Sequence, residues 1–324
     1  MDAWQLSSWE AYREVVRTGR RTRLPETQRT VLWLIFEKVR EQLASAMVVT
    51  EASLLSALTS ALTRQSRPVF DFAVVDESQD LTVAQLRFLT ALGHHRPDAL
   101  FFAGDLGQRI FQPPFSWKSL GVDVRGRSRT LRVNYRTSHQ IRQQADRLLG
   151  PEVSDADGNV EKRTGTVSAF SGPPPTIATF KTLEAEIAAA AAWLSQQIVA
   201  GIPPFELGVF VRSPGQFERA ERAAQKANVP YRILDNTVEP QPGHLSISSM
   251  HLAKGLEFRS VAVMACDDEI VPLQERIQNG GDDADLQEVY DTERHLLYVA
   301  CTQARDHLYV WGVEPASEFL EDLG

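Results

Sequence analysis

The chain has 324 residues, 43% hydrophobic and 23% charged, with a formal net charge of −8 at pH 7. That length accommodates two domains and a large core, and the composition is that of an ordinary globular protein. The acidic balance excludes global basicity as a basis for nucleic-acid binding, and no stretch approaches the roughly 18 apolar residues of a membrane span. Met1-Asp-Ala-Trp-Gln-Leu6 has neither the basic start nor the apolar core of a signal peptide, so a cytoplasmic protein without membrane association is expected. The two cysteines, Cys266 and Cys301, fit no metal or disulfide spacing and lie among apolar neighbours, which predicts buried free thiols.

Residues 1–66 read as a helical satellite. Trp9, Tyr12, Val15 and Val16 share one face, Val31, Ile35, Val39 and Leu43 another, and Leu54, Leu58, Ala61 and Leu62 a third. Phe72-Ala-Val-Val75 then runs straight into Asp76 and Glu77. A short apolar run of this kind reads as a buried central strand of a parallel sheet. Such sheets bind ligands beyond the carboxyl ends of their strands. An Asp at that end is the Walker-B arrangement, which holds Mg²⁺ on a nucleotide's phosphates. An adjacent acid can orient or deprotonate the attacking water. A strand meeting a solvated turn would account for a lone Asp-Glu pair, but accounts less well for the whole string Asp76-Glu-Ser-Gln-Asp80.

Thr82-Val-Ala-Gln85 is a capping-box pattern that opens a helix carrying Leu86, Leu89 and Leu92. Ala99-Leu-Phe-Phe-Ala103 reads as a second buried strand, ending in Gly104-Asp105 with Gln108 nearby. Alternation of strand, helix and strand argues for α/β architecture with a parallel sheet. Residues 109–117 form a proline-broken loop with Phe111, Phe115 and Trp117, the kind of aromatic set that stacks single-stranded bases or simply packs in a core. Residues 118–147 hold eight basic residues against Asp123 and Asp146, a local excess suited to phosphates. Leu131 to Val133 leads into Asn134-Tyr135-Arg136, and Thr137-Ser-His-Gln140 reads as a second helix cap.

Residues 151–175 have linker composition. A second α/β unit follows, with strands at 176–180, 207–212, 231–234, 245–249, 260–265 and 307–311. Helices are expected at 183–199, 216–227 and about 285–305. Residues 267–293 carry ten acids against Arg276 and read as an excursion from the sheet.

Five blocks, in order, resemble the UvrD/Rep-type superfamily 1 DNA helicases. They are Val75-Asp-Glu-Ser-Gln-Asp80, Ala103-Gly-Asp-Leu-Gly-Gln-Arg-Ile-Phe111, Leu131-Arg-Val-Asn-Tyr-Arg136, Met250-His-Leu-Ala-Lys-Gly-Leu-Glu-Phe258 and Glu293-Arg-His-Leu-Leu-Tyr-Val-Ala-Cys-Thr-Gln-Ala-Arg305. The resemblance implies two RecA-like cores, one partial at 67–150 and one complete at 151–324, the latter without the large helical insertion of many relatives. It implies ATP and Mg²⁺ as cofactors, single-stranded DNA as partner, and ATP hydrolysis coupled to 3′→5′ unwinding.

The resemblance also implies roles. Asp76 holds the metal, Glu77 activates water, and Gln108 senses the terminal phosphate. Tyr135 stacks on adenine and Arg136 stabilises the transferring phosphate. Gly255 and Glu257 meet the nucleotide from the second core. His251 and Lys254 couple nucleotide to DNA, and Phe111 and Trp117 stack on bases.

Two departures stand out. No Gly-x-x-x-x-Gly-Lys-Ser/Thr occurs in these residues, so the phosphate cradle is expected from a separate P-loop-bearing N-terminal half. Gln303 stands where the family has its arginine finger, and a finger is worth about 10³–10⁵ in rate. On the resemblance alone, an arginine at position 303 would restore that rate. The alternative reading is a non-catalytic, helicase-derived module that binds DNA or protein.

Overall fold

A computed structural model of the chain describes residues 6, 8–14, 25–65, 67, 69–105, 115–124, 126–150, 152–154, 160–162, 165–234, 239–278 and 283–324. It divides into Met1–Arg129 with Ser154–Glu161, and Thr130–Val153 with Lys162–Gly324. The division at Arg129 precedes the expected one at 150. The reason is hydrogen bonding: Thr137 Oγ1 donates to Thr302 O at 3.3 Å, and Ser138 N to Arg305 O at 3.0 Å. The Asn134-Tyr135-Arg136 block thereby belongs to the second unit.

In the first unit, helices α1 (Trp9–Glu14), α2 (Glu26–Ser45) and α3 (Glu51–Leu62) occupy the N-terminal region. The buried face of α2 differs from the aliphatic stripe expected. Val31, Ile35 and Val39 are exposed, whereas Trp33 is buried. Trp33 meets Trp9 and Tyr12 at ring separations of 6.1 and 5.8 Å. Aromatic rings bury more area than aliphatic side chains, so they decide which face turns inward.

Strands β1 (Ala73–Val75) and β2 (Leu100–Phe102) pair in parallel around α4 (Val83–Gly93). The expected capping box is present at Thr82 and Gln85. The strands are not buried on both faces as expected, since Val74 is 75% and Phe101 63% exposed. This sheet has two strands among the described residues, and α4 packs against both of them.

The second unit begins with β3 (Val133–Asn134) and α5 (His139–Ala145). The expected linker carries short strands instead: β4 (Glu152–Ser154) and β5 (Val160–Lys162), where the chain passes from one unit to the other, pair with each other, and β6 (Val167–Ser168) pairs with β3. The expected cap of α5 is also diverted. Ser138 is its N-cap without a side-chain cap bond, while the Thr137 hydroxyl reaches Thr302 and Gln140 Oε1 accepts from Gly172 N.

The main sheet follows: β7 (Thr176–Phe180), β8 (Leu207–Val211), β9 (Tyr231–Ile233), β10 (Leu245–Ser249), β11 (Phe258–Val263) and β12 (Ala304–Val313). All neighbours are parallel, in the order β7-β12-β11-β8-β10-β9. Helices α6 (Leu183–Val199) and α7 (Phe217–Lys226) pack against it, burying Leu194, Leu207, Val211 and Ile247. Every residue of β8 and β10 is buried, as a doubly covered parallel sheet requires.

The acidic stretch 267–293 is largely helical rather than looped. It holds α8 (Gln274–Gln278) and the first half of α9 (Asp283–Thr302), and α10 (Phe319–Leu323) ends the chain. Acids suit a helix N-terminus, where they meet the positive end of the dipole. Cys266 and Cys301 are buried free thiols as expected, and burial pushes Cys301 up to about 12. No described helix is long and apolar enough to cross a membrane.

Gly312 on β12 passes so close to the next segment that a Cβ there would lie 2.2 Å from Cys266 O. Backbone cannot yield as a flexible side chain can. Gly312→Ala is therefore expected to destabilise the second unit by about 1–3 kcal/mol or more, read as a lower urea midpoint at unchanged slope.

Candidate functional site

The first-unit residues converge at the carboxyl end of β1. Asp76 and Glu77 are both exposed there. Glu77 adopts a left-handed conformation (φ 51°, ψ 37°), which non-glycine residues seldom take. Its N–H donates to Asp76 Oδ1 at 2.8 Å, and its Oε2 accepts from Gln79 Nε2 at 2.6 Å. The buried Gln79 also accepts from Asp105 N at 3.0 Å, so one amide ties the two strand ends together. Gly104 makes room for this bridge, because a Cβ there would lie 2.5 Å from Gln79 Oε1. Carboxylate oxygens at an open strand end fit Mg²⁺, a hard cation that binds through one or two carboxylates together with phosphate oxygens.

Gln108 and Phe111 lie outside the described residues. Trp117 is half-buried and meets Phe102 edge-on at 5.0 Å, so one edge of it is engaged in packing. The expected basic excess is partly consumed locally. Arg127 pairs with Asp98 at 2.7 Å, Arg142 with Asp146 at 3.2 Å, and Arg147 donates to Gly324 O.

In the second unit, three of the five blocks meet at Arg136. Asn134 Oδ1 accepts from the backbone N–H groups of Arg136 and Thr137 at 2.8 and 3.2 Å. That side-chain turn leaves Tyr135 76% exposed, open to stack on a base. The Arg136 guanidinium donates to Leu256 O and to Gln303 Oε1, and Nε lies 3.6 Å from Glu257 Oε2. Gly255 is exposed at φ +79° with nothing within 4 Å of a built Cβ, so the turn needs glycine for conformation and not for space.

The second unit also holds a charge cluster that the sequence did not mark as one, although His251 was a candidate and Glu293 opens the fifth block. Arg212 makes two bonds of 2.6 Å to Glu293, with side chains 3% and 0% exposed. Arg276 reaches the same carboxylate at 3.0 Å, and Arg212 Nη1 lies 3.3 Å from His251 Nδ1. Burial, then the charge of Arg212, push the His251 pKa below its ordinary value. Lys254 is partly buried on the same stretch. A second cluster joins buried Glu186 to Arg219 at 3.2 Å, and Arg219 to Asp267 at 2.7 Å. Glu186 also accepts from Ala265 N at 2.8 Å, and burial raises its pKa. Glu186 lay inside an alanine-rich run, Arg212 at a strand end and Glu293 in an acidic stretch, so no local pattern marked them as partners.

Two outcomes are expected. Arg212→Met leaves Glu293 buried without its bidentate partner and costs about 3–5 kcal/mol by denaturant titration. His251 binds its proton more weakly folded than unfolded. The unfolded chain therefore takes up more protons as pH falls below about 6.5, and stability is lost there. His251→Gln is expected to flatten the stability-versus-pH curve between about pH 7 and 5.

The UvrD/REP helicase N-terminal domain model matches residues 26–116, and the UvrD-like helicase C-terminal domain model matches residues 236–314. The chain is 23% identical over 330 residues to the ATP-dependent DNA helicase UvrD2 of Mycobacterium tuberculosis, covering 72% of this chain and 46% of that protein. It is 34% identical over 100 residues to the ATP-dependent DNA helicase UvrD1 of Mycobacterium leprae, covering 28% and 12% respectively. The chain thus spans at most about half the length of these relatives. The C-terminal domain of a possible DNA helicase from Lactobacillus plantarum WCFS1 superposes with a TM-score of 0.41 at 19% identity, covering 59% of this chain and 94% of that one. With two domain models matched in family order, and the motif blocks lying in and between them, the chain belongs to the UvrD/Rep-type superfamily 1 helicases.

Proposed function

We propose that the chain supplies the Walker-B end of the first RecA-like core and the whole second core of an ATP-dependent DNA helicase. In this reading ATP hydrolysis drives 3′→5′ movement along single-stranded DNA. The observation that carries it is the convergence on Arg136. The Leu256-Glu257 block and the Gln303 block both contribute acceptors to the guanidinium that the Asn134-Tyr135-Arg136 block supplies. Packing alone gives no reason for an exposed tyrosine and a tethered arginine to be neighbours at that point.

The roles follow from chemistry. Asp76 would hold Mg²⁺, which when bound neutralises phosphate charge. Glu77, kept in place by Gln79, orients the attacking water. Tyr135 stacks on the base, Glu257 and Gly255 line the nucleotide from the second core, and Arg136 faces the transferring phosphate. His251 and Lys254 sit on the turn that passes nucleotide state to DNA. Trp117 and Phe111 contact the bases, and Gln108 senses the terminal phosphate.

The backbone cradle for the phosphates comes from outside these 324 residues, on a P-loop-bearing segment or partner chain. Exposed Phe72, Val74 and Phe101 support this, because parallel sheets are ordinarily covered on both faces. A specific observation also favours a second reading, a module that binds DNA without hydrolysis: the Gln303 position offers no finger charge, and its amide is spent on Arg136.

A titration with a fluorescent ATP analogue and Mg²⁺ separates the two. Binding that ATP displaces, and that weakens about tenfold or more in Tyr135→Ala, is expected. Addition of a P-loop-bearing N-terminal half should bring hydrolysis that Glu77→Gln abolishes without weakening nucleotide binding. No displaceable nucleotide with or without that half, together with intact single-strand binding, would leave the non-catalytic module. Trp117→Ala is expected to cost about 1–3 kcal/mol of single-strand affinity in a low-salt anisotropy titration.

A further inference from the structure

Gln303 lies where α9 gives way to β12, and it is 1% exposed. Its Nε2 donates to Val299 O, one helical turn back, at 2.8 Å. Its Oε1 accepts from Arg136 Nη2 at 2.5 Å. These two partners fix the sense of the amide. Turned over, its NH₂ would face a guanidinium, which has donors only, and its carbonyl would face a carbonyl. The backbone is held as well, since Gln303 O accepts from Phe258 N at 2.9 Å. Thr302 O and Arg305 O, on either side, bind Thr137 Oγ1 and Ser138 N. The turn 134–138 and the segment 302–305 are thus fastened together by backbone, and Gln303 adds one side-chain bond aimed at a single group.

That group is Arg136. Leu256 O takes another of its donors, Glu257 lies beside Nε, and Asn134 fixes its backbone. About a third of its side chain stays exposed. The inner edge of the guanidinium is therefore held while part of it remains accessible.

We propose that Gln303 is a positioning residue for Arg136, a neutral acceptor that orients the guanidinium toward a bound nucleotide's phosphates. The phosphate part of this rests on the helicase reading above, while the positioning part rests on geometry alone. Neutrality matters. A carboxylate at 303 would still pair with Arg136, but it would set its other oxygen against Val299 O and cancel the charge that a phosphate should meet. An arginine at 303 would set donors against donors and a second positive charge beside the first, in a site with almost no access to water. Position 303 therefore does not hold a finger that was merely lost. Gln303→Arg is expected to lower nucleotide affinity and stability, where the family pattern alone leads one to expect a restored rate.

Arg136 can be followed in the full chain with ¹⁵N-labelled arginine, its side-chain signals assigned by their loss in Arg136→Lys. Slow rotation about Nε–Cζ, giving resolved Nη protons, is expected in the native chain and in Gln303→Glu. It should be lost in Gln303→Met and Gln303→Arg, with the remaining arginine signals in place. A urea double-mutant cycle with Arg136→Met and Gln303→Met should show coupling of about fivefold or more in the unfolding constant. A freely rotating Arg136 in the native chain overturns the proposal without any variant. So does a Gln303→Met chain that keeps the Arg136 signature, or a cycle that is additive. In the nucleotide titration, Gln303→Met should weaken ATP-analogue binding at least threefold when Arg136 is present and not in Arg136→Met. Coupling without any nucleotide binding would sink the helicase reading and leave the positioning role standing. Nucleotide binding without coupling would do the reverse.

Discussion

The second unit depends on a pair of charges taken out of water. Arg212 at the end of β8 and Glu293 inside α9 meet through two hydrogen bonds with almost no solvent exposure. Such a pair has to offset a large desolvation cost, and does so only when geometry is good and the remaining valences are filled. Here they are filled by Arg276 and by the N–H of Leu273. The consequence is placement. α9 is fixed against the sheet part-way along its length, and its last turn then has little freedom. From that turn come Thr302 and Gln303, which grip Thr137 and Arg136. A charge pair with no chemistry of its own thus sets where the Arg136 guanidinium stands.

The first unit is organised differently. Its strand ends are joined by an uncharged bridge, Gln79, whose two ends serve Glu77 and Asp105. The left-handed backbone at Glu77 is unfavourable for that residue and persists because its neighbours over-determine it. Strain of this sort at a strand end is where a parallel sheet meets its ligand. The β1–β2 sheet contrasts with the six-stranded one: both use apolar runs, but the former leaves Val74 and Phe101 largely in water. An identical local pattern therefore reports strand and direction without reporting what lies on the sheet's two sides.

That contrast explains what was legible in the sequence. The elements of the second unit were readable because their periods and caps are local. β7, α6 and β10 fall on the residues expected. The capping box at Thr82 was readable for the same reason, since both partners lie within four residues. The similar-looking Thr137 and Gln140 deceived, because each found a better partner far away in sequence. The α2 stripe deceived because periodicity counts apolar positions equally, while Trp33 outweighs Val31 and Ile35 in buried area. Arg212, Glu293, Glu186 and Arg219 were invisible as pairs, being tens of residues apart in chain order.

Gln303 shows a further limit on reading motifs letter by letter. A motif position carries meaning through what faces it, and here what faces it is Arg136, Val299 and little water. Once an amide fills such a place, its neighbours settle around an acceptor. Leu256 O and Glu257 share the guanidinium with it, and the backbone on both sides closes over it. An arginine in the family pattern needs open space in front of it and an anion to meet. At 303 the space is occupied and the nearest group is another cation. The end of α9 points the same way. The helix stops at Thr302, so Arg305 lies on β12 as an exposed residue paired with Asp306, and not on a helical face beside the site. With Gln303 neutral and Arg305 turned to Asp306, Arg136 is the guanidinium that this turn holds, and the residue that aims it becomes as consequential as the charge itself.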